Sequence, residues 1–260
     1  MSDIVDAVRA RYADKALRMA AAPAADACCG DASGATDAGS AACCGDAYGT
    51  DELAALGLDP AASLGCGDPT LLADLHPGET VLDLGSGAGL DVLLSARRVS
   101  PGGHAYGVDI TDEMLAVARA NQEKAKVENA TFLKGAIEAV PLPDASVDVV
   151  ISNCVINLAA DKSAVLREAF RILRPGGRFA VADMVALEEL TSDAKRRLDL
   201  WAGCIAGTIS AEAYAEALAA AGFGEIGIET TRELALAGVG RIASAYIRAR
   251  KAQGDSYADG

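Results

Sequence analysis

The stretch VLDLGSGAGLDV, Val81 to Val92, decides how this chain is read. A short apolar run ends in alternating glycines, and a segment with helical spacing begins directly behind them. Gly85, Gly87 and Gly89 let the backbone turn tightly and approach a ligand, because no Cβ stands in the way. A strand, a glycine turn and a helix N-terminus in that order belong to open α/β sheets, whose ligands sit beyond the strand C-terminal ends. About twenty residues further on, GVDIT places Asp109 at the tip of a second strand, where a carboxylate can bind ribose hydroxyls. Glycines and acid together leave open a dinucleotide and other adenosine cofactors.

Outward from this motif, strands and helices alternate. HAYGVDI, ATFLKG, VDVVISN and RFAVADMV read as strands, with DEMLAVARANQEKAK and SAVLREAFRIL as helices among them. The strands are apolar without alternation, which marks a parallel sheet covered on both faces. TSDAKRRLDLWAGCIAG and SAEAYAEALAAAGF read as further helices, and EIGIETT and SAYIRARK as closing strands. The expected fold class is α/β: a doubly wound, mainly parallel, Rossmann-like sheet with an N-terminal extension and a C-terminal lid region. At the front, residues 3–20 space Ile4, Val5, Val8, Tyr12, Ala16 and Leu17 as a weakly amphipathic helix. Residues 21–47 are Ala, Gly, Ser and Asp broken by Cys28, Cys29, Cys43 and Cys44, a linker by composition. The expected division is 1–47, a helix plus a flexible tail with cysteine pairs; 48–185, the cofactor-binding core with the loop of Cys66; and 186–260, lid helices and closing strands.

Composition narrows the function. Hydrophobic residues make up 51% of the 260, enough for a substantial core, while aromatics are only 4%. A formal charge of −14 with no basic patch argues against nucleic acid, whose phosphates need clustered Lys and Arg. No apolar stretch approaches the ~18–20 residues of a membrane span. LRMAAAPAADAC loosely resembles a cleavage site, but Asp3, Asp6 and Asp14 precede the Ala run and Pro23 and Asp26 interrupt it. The expectation is a cytoplasmic monomer. In that reducing compartment the odd count of seven cysteines points to ligands, catalysts or buried thiols rather than structural disulfides. The two histidines have structural readings: His76 precedes Pro77 in a turn and His104 opens a strand.

Three features make the chain similar to the class I S-adenosylmethionine-dependent methyltransferases. The acidic DLGSGAGLD loop suits a cationic sulfonium ligand better than a pyrophosphate. GAIEAVPLPDASVDVV, residues 135–150, and LRPGGRF, residues 173–179, match the family's later loops. The resemblance covers about residues 48–250. It implies that Asp83, Gly85, Ser86, Gly87 and Gly89 serve the methionine part of S-adenosylmethionine, that Asp109 holds the ribose, and that Ile110, Met114, Ile137 and Glu138 border the adenine. In the family's 3-2-1-4-5 strand order, Asn153 and Cys154 at the tip of strand four face the sulfonium. Taken alone, Cys154 is as readily a small inert core residue.

SLGCGDP, SNCVINL and WAGCIAGTISAEAYAEALAAAGF together closely resemble the arsenite methyltransferases, although Asp68 stands where that family more often has Asn. This resemblance implies that Cys66, Cys154 and Cys204 bind As(III) as substrate and take part in redox chemistry. It implies methylation of arsenite, and of methylarsenite, in arsenic detoxification. Methylation oxidises arsenic, so a disulfide, Cys66–Cys154 or Cys154–Cys204, would restore the trivalent state, and thioredoxin or glutathione would reduce it. Antimony or bismuth would fit the same soft site. The cysteine pairs of the tail read as arsenic capture or as incidental thiols; their CC-x13-CC spacing is not that of a zinc site. Two rival readings stand beside this one: a methyltransferase for a quinone-like or other small organic acceptor, and an arsenic-sequestering protein without turnover. Among lesser features, Trp201 reads as lid packing, Met184 as core, and Glu188, Glu189 and the run Lys195–Arg197 as solvated.

Overall fold

The computed structural model describes residues 2–21, 50–58, 65 and 67–253. Cys28, Cys29, Cys43, Cys44 and Cys66 therefore lie outside the described residues.

The glycine motif is where the sequence reading placed it, between a strand and a helix of one seven-stranded sheet. The order is β3-β2-β1-β4-β5-β7-β6. Strands β1 (Thr80–Leu84), β2 (His104–Asp109), β3 (Ala130–Lys134), β4 (Val147–Asn153) and β5 (Leu173–Ala186) run parallel. Strands β6 (Phe223–Leu236) and β7 (Gly240–Lys251) complete it as an antiparallel hairpin against β5. The chain reverses winding between β1 and β4, so a crevice opens above those two strand ends.

Helices cover the sheet because each presents one apolar stripe. In α4 (Leu90–Arg98), Leu90, Val92, Leu93, Leu94 and Ala96 are buried; with α5 (Asp112–Ala125) this helix covers β2 and β3. In α6 (Lys162–Ile172), Val165, Leu166, Ala169 and Ile172 recur at helical spacing and face the core. Asp161 caps its start by accepting from the Ala164 N–H at 2.9 Å. The N-terminal helix α1 (Ser2–Ala21) packs against α5. Two short helices, α2 (Thr50–Ala55) and α3 (Pro69–Leu72), precede β1 and were not read from sequence. Among the described residues no helix is long and apolar enough to cross a membrane.

Two local expectations change. LRPGGRF is not a turn ahead of strand five but an irregular start of β5, where pairing jumps from Val147–Leu173 to Val149–Arg178. The segment 191–207 is not one helix. It forms a 3-10 turn at Ala194–Arg196, the five-residue α7 (Leu198–Ala202) and then tight turns before α8 (Ala211–Ala220). Gly203 ends α7, and Cys204 behind it has φ of 62°. Gly207 then packs so closely that a Cβ there would overlap the carbonyl oxygen of Asn157. Contact with the segment after β4, rather than helical propensity, shapes this stretch.

Candidate active site

Beyond the end of β1, Gly85 and Ser86 donate their N–H groups to the Val108 carbonyl at 2.8 and 3.0 Å, which ties the glycine loop to β2. Gly85, Gly87 and Gly89 have φ of 73°, 49° and 84°, left-handed values that favour glycine. Asp109 completes the turn. Its carboxylate accepts from Gly87 N at 2.9 Å and Thr111 N at 2.8 Å. Burial raises its pKa, and those N–H bonds hold the rise back.

Around this loop lies a pocket lined by Ser86, Asp91, Asp109 and Asn153 together with Ile110, Ile137 and Glu138. Asp83 sits at its base, 2% exposed. Among the described residues its Oδ1 has no hydrogen-bond partner. Burial, then the charges of Asp91 and Asp109, push the Asp83 carboxyl well above its usual range. Three carboxylates clustered at one crevice suit a cationic ligand, and Ile110 and Ile137 in the lining beside Asp109 suit a nucleoside. S-Adenosylmethionine carries both, an aminoacyl sulfonium and an adenosine.

The pocket wall continues through Asn153 and Val155, the two neighbours of Cys154. Asn153 Nδ2 donates to the Gly67 carbonyl at 2.7 Å, and Gly65 packs so tightly on the Asn153 side chain that a Cβ there would overlap it. Cys154 itself has φ of 57°, is 5% exposed, and donates its N–H to the Ala182 carbonyl at 2.8 Å. Its sulfur is disulfide-bonded. Cys204 is a free, buried thiol whose Sγ donates to the Cys154 carbonyl at 2.7 Å. The disulfide therefore does not join these two. Both cysteines hold the left-handed backbone that ordinary residues avoid, a strain of order 1–3 kcal/mol each that only surrounding packing can maintain. Met184, Leu190, Ala194 and Ile205 supply that packing. Burial, and secondarily the charge of Asp183, push the Cys204 thiol up to about 12. Asp183, wholly buried on β5, is itself raised to about 7 by burial; the Met184 N–H, the Lys162 ammonium and the Asn157 amide work against that rise.

A methyltransferase domain family matches residues 75–222, more than half of the chain and all of the crevice just described apart from the segments ahead of it. The chain belongs to that family. Its sheet and loop are those of the class I, S-adenosylmethionine-dependent methyltransferases. The arsenite methyltransferase of Halobacterium salinarum is 46% identical over 173 residues, which is 66% of this chain and 44% of that protein. The arsenite methyltransferase of Aquipseudomonas alcaligenes is 42% identical over 154 residues, 56% of this chain and 43% of that one. The chain thus spans less than half the length of these curated relatives. A crystal structure of an arsenic(III) S-adenosylmethionine methyltransferase from Chlamydomonas reinhardtii superposes with a TM-score of 0.65 at 30% identity, covering 83% of this chain and 74% of that one.

Of the residues named from sequence for the methyltransferase cofactor, Gly85, Ser86, Gly87, Asp109, Ile110, Ile137, Glu138 and Asn153 line the pocket. Asp83, Gly89 and Met114 do not. Asp83 is buried at its base, Gly89 caps α4 with its Cα against Phe132, and Met114 is wholly buried in α5. Cys154 and Cys204 meet each other but lie off the pocket lining, and Cys66 is outside the described residues. Among the described residues no three His, Cys, Asp or Glu side chains form a metal-binding group. Sequence reasoning missed Asp91, although it stands inside the quoted motif as the first-turn acid of α4. It also missed Val5, Val8 and Tyr12 of α1, which close one side of the pocket. Their helical spacing was legible; nothing in it said what they would cover.

Proposed function

We propose that this methyltransferase methylates trivalent arsenic, arsenite and methylarsenite, in arsenic detoxification. Arsenic is held through the thiolates of Cys66, Cys154 and Cys204. The observation that carries this reading is the junction of two sulfur-bearing segments far apart in sequence: Cys204 donates to the Cys154 carbonyl, directly beside the pocket wall at Asn153 and Val155. Gly65 and Gly67, the neighbours of Cys66 in sequence, both pack against that same region: Gly65 on Asn153, and Gly67 near Ala182 and Tyr246. The names of the most similar relatives support the same substrate for this chain.

In this reading Asp83 and Asp91 face the cationic methionine part of S-adenosylmethionine, Asp109 the ribose, and Ile110 and Ile137 the adenine. When bound, that cofactor supplies a methyl group on a positively charged sulfur. Trivalent arsenic held by three thiolates keeps a lone pair, so the nucleophile needs no proton removed and the chain needs no general base. The chain's work is positioning, which contributes about 7–11 kcal/mol in favourable cases. Each thiol must lose its proton on coordination. For Cys204, whose thiol stands near 12, burial and then the charge of Asp183 resist ionisation, and the soft As–S bond has to drive it. Methyl transfer leaves arsenic pentavalent. Two of the coordinating thiolates then return it to the trivalent state: their As–S bonds break, the two sulfurs join as a disulfide and an electron pair stays on arsenic. Arsenic keeps its third thiolate and takes up an external thiol with release of that thiol's proton. A reductant such as thioredoxin or glutathione reopens the disulfide. Cys154, already half of a disulfide here, is the natural participant. Residues 48–185 act as cofactor core and 186–260 as cover and closing strands, with the cysteine pairs of 22–47 as a capture segment.

The test incubates the reduced chain with arsenite, S-adenosylmethionine and reductant and measures methylated arsenic. Cys154→Ser and Cys204→Ser should each abolish methylarsenical formation while S-adenosylmethionine still binds. Arsenite methylation by Cys154→Ser at the wild-type rate would falsify the proposal.

A further inference from the structure

Helix α1 touches both halves of the site. It packs against α5 on the nucleoside side, and against α7 and the Ile156–Leu158 turn on the thiol side. Tyr12 joins the two. Its side chain belongs to the pocket wall, and its hydroxyl stands 3.9 Å from Cys204 Sγ, near the outer limit for a hydrogen bond to sulfur. The Cys204 proton is directed at the Cys154 carbonyl, so in the Tyr12–Cys204 contact the hydroxyl is the donor. Arg11 and Lys15, on the same helix, add positive charge that favours an ionised Cys204.

We propose that Tyr12 is a positioning residue that couples the two substrates: arsenic bound through Cys204 draws α1 onto the cofactor pocket, so that arsenite and S-adenosylmethionine bind with positive cooperativity. The inference rests on the arsenite reading above. When arsenite reacts with the thiol, the S–H and one As–O bond break, an As–S bond forms, and water leaves with the thiol proton. The sulfur then has no proton to give the Cys154 carbonyl and, as a neutral As–S sulfur, can only accept. The Tyr12 hydroxyl, now at the edge of bonding distance, is drawn in toward that acceptor, and α1 follows. Val5 and Val8 ride on the same helix, so the pocket closes more firmly around the nucleoside side. One such bond places the effect toward the lower part of the usual ~5–150-fold range for coupled sites, at about tenfold. Linkage requires the same factor whichever ligand is varied.

The experiment uses the full chain, reduced with a phosphine so that no added thiol competes for arsenic. S-Adenosylhomocysteine, which binds without turnover, is titrated calorimetrically with and without arsenite. Arsenite is titrated by the fluorescence of Trp201, the chain's single tryptophan, which lies just ahead of Cys204, with and without S-adenosylhomocysteine. In the wild type each ligand should tighten the other about tenfold. Tyr12→Phe keeps the ring and removes the hydroxyl, and the factor should fall below about twofold. A purely structural role for Tyr12 would weaken both ligands and leave the factor intact, which overturns the proposal. A wild-type factor of one also overturns it, while leaving arsenite methylation standing. Failure of the wild type to bind arsenite overturns both readings.

Discussion

Replacing Gly85 by alanine loads two separate costs onto the loop that carries the cofactor. The backbone at Gly85 has φ of 73°, and an L-residue in the left-handed region costs about 1–2 kcal/mol. The new Cβ would also overlap Val155 Cγ1 and stand 2.7 Å from Cγ2 and 2.9 Å from the Val155 Cβ. Overpacking of this kind typically costs about 1–3 kcal/mol. The two together predict a loss of about 2–5 kcal/mol, and for a chain of this size roughly 2–4 °C in Tm per kcal/mol. Thermal unfolding followed by circular dichroism should therefore show a fall of the order of 10 °C. The decisive step is the pair. Val155→Ala removes both methyl groups that meet the new Cβ and leaves only its own Cβ at 2.9 Å. Added to Gly85→Ala it should restore about 1–2 kcal/mol, although alone it destabilises. Recovery stays partial because the strained φ remains. Contacting residues couple by about 0.5–3 kcal/mol, and that coupling is the measured quantity. A Gly85→Ala protein that melts with the wild type, or a double variant whose losses merely add, would refute the reasoning.

Two further predictions concern the thiol side. Asp183 has a folded pKa of about 7 against about 3.8 unfolded, so protonation favours the fold. Its stabilising contribution is complete below about pH 4 and is lost as pH rises to about 7, of the order of 4 kcal/mol if the whole shift is expressed. Asp183→Asn should flatten that part of the stability–pH curve and be more stable than the wild type at pH 8, even with Lys162, Cys204 and Tyr214 facing the site. A stability difference that stays constant from pH 4 to 8 in chemical denaturation would count against it. Cys204, with its thiol near 12, should react with iodoacetamide at pH 8 at least a thousandfold more slowly than an ordinary thiol of pKa ~8.5. Peptide mapping after timed labelling gives the rate, and labelling as fast as in urea would refute it.

The class of fold was legible because it depends on local chemistry. Unalternating apolar strands, helical stripes such as Val165–Leu166–Ala169–Ile172 and the glycines of 85–89 each state their conformation within a few residues. The same locality exposed Asp109, whose place at a strand tip follows from the strand itself. Most residues named inside these motifs accordingly line the pocket, while Asp83 and Met114 sit on the expected elements but are buried and do not line it.

What periodicity could not supply was every relation between distant segments. The 191–207 stretch spells a helix, yet α7 ends at Ala202, Cys204 takes left-handed backbone beside Cys154, and Gly207 lies pressed onto the Asn157 carbonyl. The family resemblance named both thiols in advance; their hydrogen bond, their left-handed backbones and their burial off the pocket surface are tertiary facts. Tyr12 is the extreme case. Its helix was readable from spacing, but spacing names a buried face without naming what buries it. Only packing of α1 across α5, α7 and the strand-four tip puts one tyrosine against both the cofactor pocket and a thiol 192 residues away.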